Sequence, residues 1–414
     1  MTNKRKIIND PVYGFLTIDD DILFDVISHP FFQRQRHIKQ LGFTSLVYPG
    51  AVHTRFSHML GALNLMTRAL DVLKVKGVEI TDEESLGVRL AILLHDIGHG
   101  PFSHTSEHMI ADVHHEVLTR LFMQRINEEL PPLADGSRPL DTAISIFEDS
   151  YKKHFLHQLV SSQLDMDRLD YLSRDSFFSG VSEGIVGTER IINMLNVKND
   201  ELVIDEKGIY SVEKFIISRR LMYWQVYMHK TVIAADNLLY GLFKRVRQLL
   251  AQGIEVGGPY YLMDFLSHQY DEASFDGNPA LLQRFAMIDD NDVMTAVKMW
   301  HYHPDTVLST LAGQLVNRHL SAIRISDKPF DAQQIEQLRV RTQELYHISK
   351  AESEYFVGTG VLKNHAYDFN DQEITVLYKD GTCRDISEAS DQLDRHFLEK
   401  QVTKYYVFFP KELK

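Results

Sequence analysis

From Met59 onward apolar residues recur at Met59, Leu63, Met66, Leu70 and Leu73, at alternating steps of four and three, which marks one buried helix face with His58 at its start. A second helix is predicted over 86–96, where an apolar run through Leu94 is stopped by Gly98, Gly100 and Pro101. His95 and Asp96 fall in its closing turn. A third runs from about Glu116 to Leu130 and ends at Pro131 and Pro132. Helical pattern resumes over 159–172, followed by a short hairpin over 201–209. Residues 212–251 lack proline and hold only Gly241, so one or two long helices are expected there. Helices should continue to about Tyr346.

The tail changes period. Residues 373–378 alternate apolar and polar, 379–382 form a turn signal, and 405–409 read as a strand. The expected fold class is therefore mostly α, a helical bundle with a small α+β C-terminal unit. The expected division is a main domain over 1–255, a helical extension over 256–350 and the small unit over 351–414.

Composition narrows the function. A net charge of −13 opposes broad binding to nucleic-acid backbone or anionic lipid, so neither a stable nucleic-acid partner nor a membrane is expected. No uninterrupted apolar run approaches the ~18 residues of a membrane helix, and the Lys4-Arg5-Lys6 start lacks a signal-peptide core, so the expectation is a cytoplasmic protein. The single cysteine, Cys383, cannot form an internal disulfide. Of 20 histidines, eight lie between His53 and His115. That density calls for a chemical explanation.

His58, the His95-Asp96 pair and Asp167 sit at helix ends or within strongly helical segments, where packing could gather them around one cation. Two imidazoles and two carboxylates suit one divalent transition metal (Mn, Fe, Zn, Co or Ni) better than Ca or Mg. Adjacent residues on an ideal helix point about 100° apart, so His95 and Asp96 can both ligate only where the helix ends. Gly98 and Gly100 would supply that freedom. The bland alternative is helix-end capping by satisfied core polar groups. Asp165 and Asp170 read as helix-face acids, and His301 with His303 as surface histidines.

The H…HD…D order comes with more specific text: Phe32-Gln33-Arg34, Ile38-Lys39-Gln40-Leu41-Gly42, Tyr48-Pro49-Gly50-Ala51, Arg55-Phe56-Ser57-His58, the run from His95 to His104, Asp167-Arg168-Leu169-Asp170-Tyr171 and Tyr227-Met228-His229-Lys230. Over roughly residues 10–250 the chain resembles the dNTP triphosphohydrolase branch of the His-Asp (HD) superfamily of phosphohydrolases, which includes the vertebrate enzyme joining a sterile-alpha-motif domain to an HD domain.

The resemblance implies an HD-domain bundle with metal ligands His58, His95, Asp96 and Asp167. It implies a second catalytic row of His99, His104, Glu107 and His115, with His104 near the scissile phosphate and Glu107 one helical turn away to orient it. His115 with Glu116 matches the family's His-Glu pair. Gln40 and Leu41 would meet the deoxyribose, and Tyr171 and Asp175 would crowd the sugar and bind its 3′-hydroxyl. Arg55, Arg168 and Arg219 would hold phosphates, and Tyr227 would lie against the base. Additional Mg could accompany the substrate phosphates, and a homodimer or homotetramer is implied.

Departures matter too. Ser28-His29-Pro30 replaces the stretch whose aspartate helps the vertebrate enzyme to bind an activating guanine nucleotide, while Gln33 and Arg36 of that region remain, which leaves an allosteric nucleotide open. Arg168 replaces a lysine, and Met228 a glutamine near the base, which leaves base preference open. The expected reaction is hydrolysis of a dNTP to deoxynucleoside and triphosphate. Two rivals stand beside it: the same fold acting on a nucleoside monophosphate or cyclic nucleotide, and a nucleotide-binding regulatory protein with a vestigial site.

Overall fold

A computed structural model of the chain describes residues 6–133, 135–364, 367, 373–393 and 395–414, with the side chains of His104 and Phe397 outside the described part. The helix Arg55–Val75 runs through the middle of the main core, and Met59, Leu63, Met66, Leu70 and Leu73 are all at most 3% exposed. Burial extends beyond the expected stripe to Leu60, Ala62 and Leu65, because the helix is covered on several sides.

Helix Asp82–Leu94 packs on it and starts earlier than its apolar pattern suggested. Its start is set by a capping box, with Thr81 Oγ1 accepting from Glu84 N (3.1 Å) and Glu84 Oε2 accepting from Thr81 N (2.9 Å). Helix Met166–Ser179 is capped at its start by Asp165 and closed by Gly180 at φ 74°, a left-handed conformation that favours glycine. Helix His115–Glu129 completes the set that surrounds the site. The 212–251 segment becomes two helices, Ile209–Met222 and Lys230–Ala251, separated by a π turn over Tyr223–Tyr227. His29, the residue before helix Pro30–Gln33, caps that helix.

Strands β1 (Lys6–Asp10) and β2 (Gly14–Ile18) form an antiparallel hairpin. The second hairpin lies earlier than expected: β3 (Leu195–Lys198) pairs with β4 (Glu201–Asp205) around Asn199 and Asp200, both left-handed at φ 54° and 66°. Residues beyond Asp205 turn directly into the next helix. The remaining strands are β5 (Ala322–Ser326), β6 (Gly358–Asn364), β7 (Thr375–Leu377), β8 (Cys383–Asp385) and β9 (Val402–Phe409).

The helices expected up to Tyr346 are thus interrupted by β5, which pairs with β9 in the sheet β5-β9-β6. β7 adds in parallel to β4, giving the sheet β3-β4-β7-β8. The tail is α+β, and its strands are paired to strands contributed by earlier parts of the chain. Among the described residues no helix is long and apolar enough to cross a membrane.

Candidate metal centre

Three helix ends meet at one point. His58 lies in the first turn of Arg55–Val75, His95 caps the C-terminus of Asp82–Leu94, and Asp167 is the second residue of Met166–Ser179. Ligand atoms of His58, His95 and Asp167 lie within 4.8 Å of one another. Asp167 Oδ1 is 3.0 Å from His58 Nε2 and 3.4 Å from His95 Nε2. Asp96 stands at the edge of the group, 3.7 Å from His58 and 3.6 Å from His95, and is ion-paired with Arg55.

The His95-Asp96 turn is braced by Thr119, whose hydroxyl donates to His95 O (3.1 Å) and accepts from Gly98 N (3.0 Å). Gly98 serves by close approach and not by unusual φ: a Cβ there would stand 2.1 Å from His115 O. The left-handed residues are instead Phe102 and Ser103, at φ 54° and 51°, so backbone strain sits just beyond the glycines where sequence placed the freedom.

The surroundings present both imidazoles correctly for a cation. His58 Nδ1 is 2.7 Å from Asp170 Oδ2 and His95 Nδ1 is 2.6 Å from Ile92 O, so each ring donates from Nδ1 and turns the Nε2 lone pair inward. Both Nε2 atoms are buried without a hydrogen-bond partner; Asp167 is near but not in hydrogen-bond geometry. Burial alone would push His58 and His95 down. The carboxylates outweigh it, lifting His95 through Asp96 and Asp167, and holding His58 at about 10 through Asp167 and Asp170.

Burial would raise Asp96 and Asp167, yet both are held well below the usual carboxylate range, Asp96 by Arg55 and His95 and Asp167 by His95 and His58. Each shift reports the same demand for positive charge in the gap. A divalent transition ion among neutral imidazoles and carboxylates meets it, so the residues fit the group.

Asp170, read from sequence as a helix-face acid, is fully buried and is the brace behind His58. Arg174 holds it through Nε (2.9 Å) and Nη2 (3.0 Å) and reaches Asp10 at 2.8 Å. Asp165 is likewise buried as the helix cap, and burial raises it to about 6. The clue to Asp170 was its spacing of three from Asp167, which puts both on one helix face.

Beyond the gap, His99 Nε2 is 3.4 Å from Asp96 Oδ1, and its ring stacks on His115 at 3.9 Å. Burial and Arg55 push His99 well below its ordinary value, so it is neutral. Glu107 was expected to orient His104 from one helical turn away. The segment holds only a short 3-10 turn over Ser103–Thr105, with left-handed residues at Phe102, Ser103 and His108, and Glu107 accepts from His115 N at 3.1 Å and lies 2.8 Å from His115 Nδ1. The side chain of His104 lies outside the described residues. Glu116 faces His114 at 3.8 Å, so the carboxylate beside His115 is Glu107.

A cavity of about 420 Å³ opens beside the gap and is lined by Asp167 together with Gln40, Leu41, Arg55, Arg168, Tyr171, Asp175 and Tyr227. Arg219 is not among its lining residues, although its charge acts on Tyr171. Asp175 is held by His53 (2.7 Å) and the Tyr227 hydroxyl (2.7 Å), and Arg168 by Asp165 (3.1 Å). Sequence reasoning missed His53 as a partner and Tyr223, Thr105 and Asp236 as lining residues. Gln33 and Arg36 are bonded to each other at 2.8 Å, with Arg36 over the Phe56 ring. His303 and His301 contact backbone carbonyls of Glu255 and Ser309.

A mostly helical bundle that closes histidines and aspartates around a cation gap describes a class of metal phosphohydrolases. Residues 55–175 match the HD domain and residues 186–250 the HD associated region. Uncharacterized protein YwfO of Bacillus subtilis is 31% identical over 421 residues, covering 99% of this chain and 93% of that protein. The crystal structure of a phosphohydrolase from Bacteroides thetaiotaomicron superposes with a TM-score of 0.93 at 48% identity, covering 98% of this chain and 100% of that one.

The chain therefore belongs to the HD superfamily of phosphohydrolases, whose members bind divalent metals. Within it the chain resembles the dNTPase branch: the deoxynucleoside triphosphate triphosphohydrolase SAMHD1 homolog of Dictyostelium discoideum is 32% identical over 259 residues. That match covers 59% of this chain and 50% of the relative, so the chain spans about half the length of that protein.

Proposed function

We propose that this HD phosphohydrolase cleaves deoxynucleoside triphosphates at the α-phosphate, releasing deoxynucleoside and inorganic triphosphate. The observation that carries this reading is the cavity beside the gap, where Arg55 and Arg168 share one wall system with Tyr171, Asp175 and Tyr227. Arginines suit phosphate oxygens, and the tyrosine-rich remainder suits a sugar and base.

His58, His95, Asp96 and Asp167 would hold the metal. When bound, the ion polarises phosphoryl oxygens and acidifies its water. Arg55 and Arg168 offset the charge that grows on the phosphoryl oxygens, and Arg219 adds positive charge near Tyr171. His99 stays neutral and can accept a hydrogen bond near Asp96, orienting a water or a phosphate hydroxyl, while the Glu107–His115 pair holds a proton next to it. His104 delivers the proton that the departing nucleoside 5′-oxygen needs.

Tyr171 packs where a 2′-hydroxyl would sit, and Gln40 and Leu41 close the sugar from the opposite chain segment. Asp175 accepts from the 3′-hydroxyl in exchange for one of its present partners. The support from relatives is the resemblance to triphosphohydrolases over the shared region.

Anion-exchange analysis of products from all four dNTPs, with and without Mn²⁺, tests the reading. Triphosphate should appear in a metal-dependent way and vanish in the His95→Ala/Asp96→Ala variant. Release of monophosphate alone, or no metal-dependent release under any nucleotide mixture, sinks it and favours another phosphate ester or a regulatory role.

A further inference from the structure

A second group of nitrogen and oxygen donors gathers near the first without sharing a residue with it. Glu107, His114 and His115 each offer one ligand atom, all within 4.8 Å of one another. His115 Nδ1 lies 2.8 Å and His114 Nε2 3.9 Å from the same Glu107 oxygen. Ligands bound at about 2.1 Å to one tetrahedral ion stand roughly 3.4 Å apart, so the present spacings bracket what an ion requires.

Behind the His114 ring, Nδ1 faces Glu116 at 3.8 Å. At that distance the carboxylate makes no hydrogen bond, and it favours positive charge on or beside the ring by electrostatics alone. Exposure also fits. The His114 side chain is 52% exposed while those of His115 and Glu107 are 18% and 14%, so an ion can enter past His114 and still be partly enclosed. Glu107 and His115 also line a chamber of about 20 Å³ with His99, Ser103 and Ser106, room for one water-sized occupant.

We propose that Glu107, His114 and His115 form a second transition-metal site, suited to zinc, cobalt or nickel, and that filling it inhibits the enzyme. Three protein donors leave at least one position to water, so this site is weaker than the first. An ion there replaces the Glu107–His115 hydrogen bond and adds positive charge beside His99, onto whose ring His115 stacks. The inhibitory half rests on the function proposed above, in which these groups handle a proton. The binding half does not.

Co²⁺ titration of chelator-stripped protein, read by calorimetry and visible absorption, separates the two halves. Wild type should bind two equivalents, the His95→Ala/Asp96→Ala variant should keep the weaker one, and His114→Ala should keep the tighter one while losing the weaker by about tenfold or more. The His114 side chain makes no helix-capping hydrogen bond, so His114→Ala should fold normally, and His114→Gln provides a second test of ligand loss.

A single equivalent in wild type, or a second equivalent unchanged in both His114 variants, overturns the site. In the turnover arm, excess Zn²⁺ should slow wild type at concentrations about tenfold below those that slow His114→Ala, by the same affinity argument. Equal inhibition of both overturns the regulatory half. Absence of triphosphate release from any dNTP would defeat the proposed function while the titration still decides the site.

Discussion

At the scale of single residues, the candidate centre depends on groups that never touch the ion. Asp170 fixes the His58 tautomer from 2.7 Å and is itself locked by Arg174. Asp170→Asn should therefore weaken metal binding by about 10–100-fold. It should also destabilise the fold by ~2 kcal/mol, because Arg174 keeps Asp10 but loses its charged partner Asp170 in the core. Metal content after desalting, measured beside chemical denaturation of the metal-free protein, checks both; unchanged metal retention would remove Asp170 from the site's support.

Asp236 gives a prediction of opposite sign. It lines the cavity, accepts from Thr105 Oγ1 at 2.8 Å, and burial raises it from 3.8 to about 6. A raised folded-state value means the folded protein holds the proton more tightly than the unfolded chain, so the carboxylate destabilises the fold fully above pH 6 and not below about pH 4. Asp236→Asn should gain about 1–2 kcal/mol at pH 8 and nothing at pH 4. Melting curves at the two pH values measure the difference.

At the scale of elements, close approach governs the helices around the site. Gly61 lies on Arg55–Val75, where a Cβ would fall 2.0 Å from Asp170 Oδ1 and 2.1 Å from Arg174 Nη2. Alanine favours a helix by about 1 kcal/mol over glycine. Here the clash wins, because the displaced groups are a buried ion pair with no room to move. Gly61→Ala should destabilise by about 2–4 kcal/mol and loosen the metal as Asp170→Asn does. A variant as stable as wild type in urea would show that the two helices can separate freely.

The periodicity of Met59 to Leu73 made this helix legible, but nothing in that pattern announced that Gly61 faces an aspartate 109 positions later. The hairpin was misplaced for a related reason. Asn199 and Asp200 take left-handed conformations without a glycine, so the turn carried a weaker signal than the strand-like residues after it.

At the scale of the whole molecule, pairing across distant segments holds the tail. β9 lies between β5 and β6, and β7 adds to β4. Ending the chain at residue 350 would leave β4 and β5 with open edges, which template association between chains. Such a truncated protein should run as soluble aggregate on size-exclusion chromatography, whereas a well-behaved monomeric or oligomeric species of native helix content would show that residues 1–350 fold independently of the tail.

Sequence alone determined the strongly periodic helices, Arg55–Val75 and Lys230–Ala251 among them, and that the tail alternates, while the order of its motifs, through the family resemblance, set His58, His95, Asp96 and Asp167 in one chemistry. Periodicity and motif order are both read along the chain, whereas the strand Ala322–Ser326 and the break between His154–Val160 and Met166–Ser179 were not legible there. Tertiary structure decided the rest. It brought Arg174 and Asp10 behind the ligands, swung Glu107 to His115 through a left-handed loop, placed Asp236 at the cavity and set His53 against Asp175 in its wall. Those relations depend on how helices lie against one another. Side-chain approach across a core is a property of packing, which no spacing along the chain encodes.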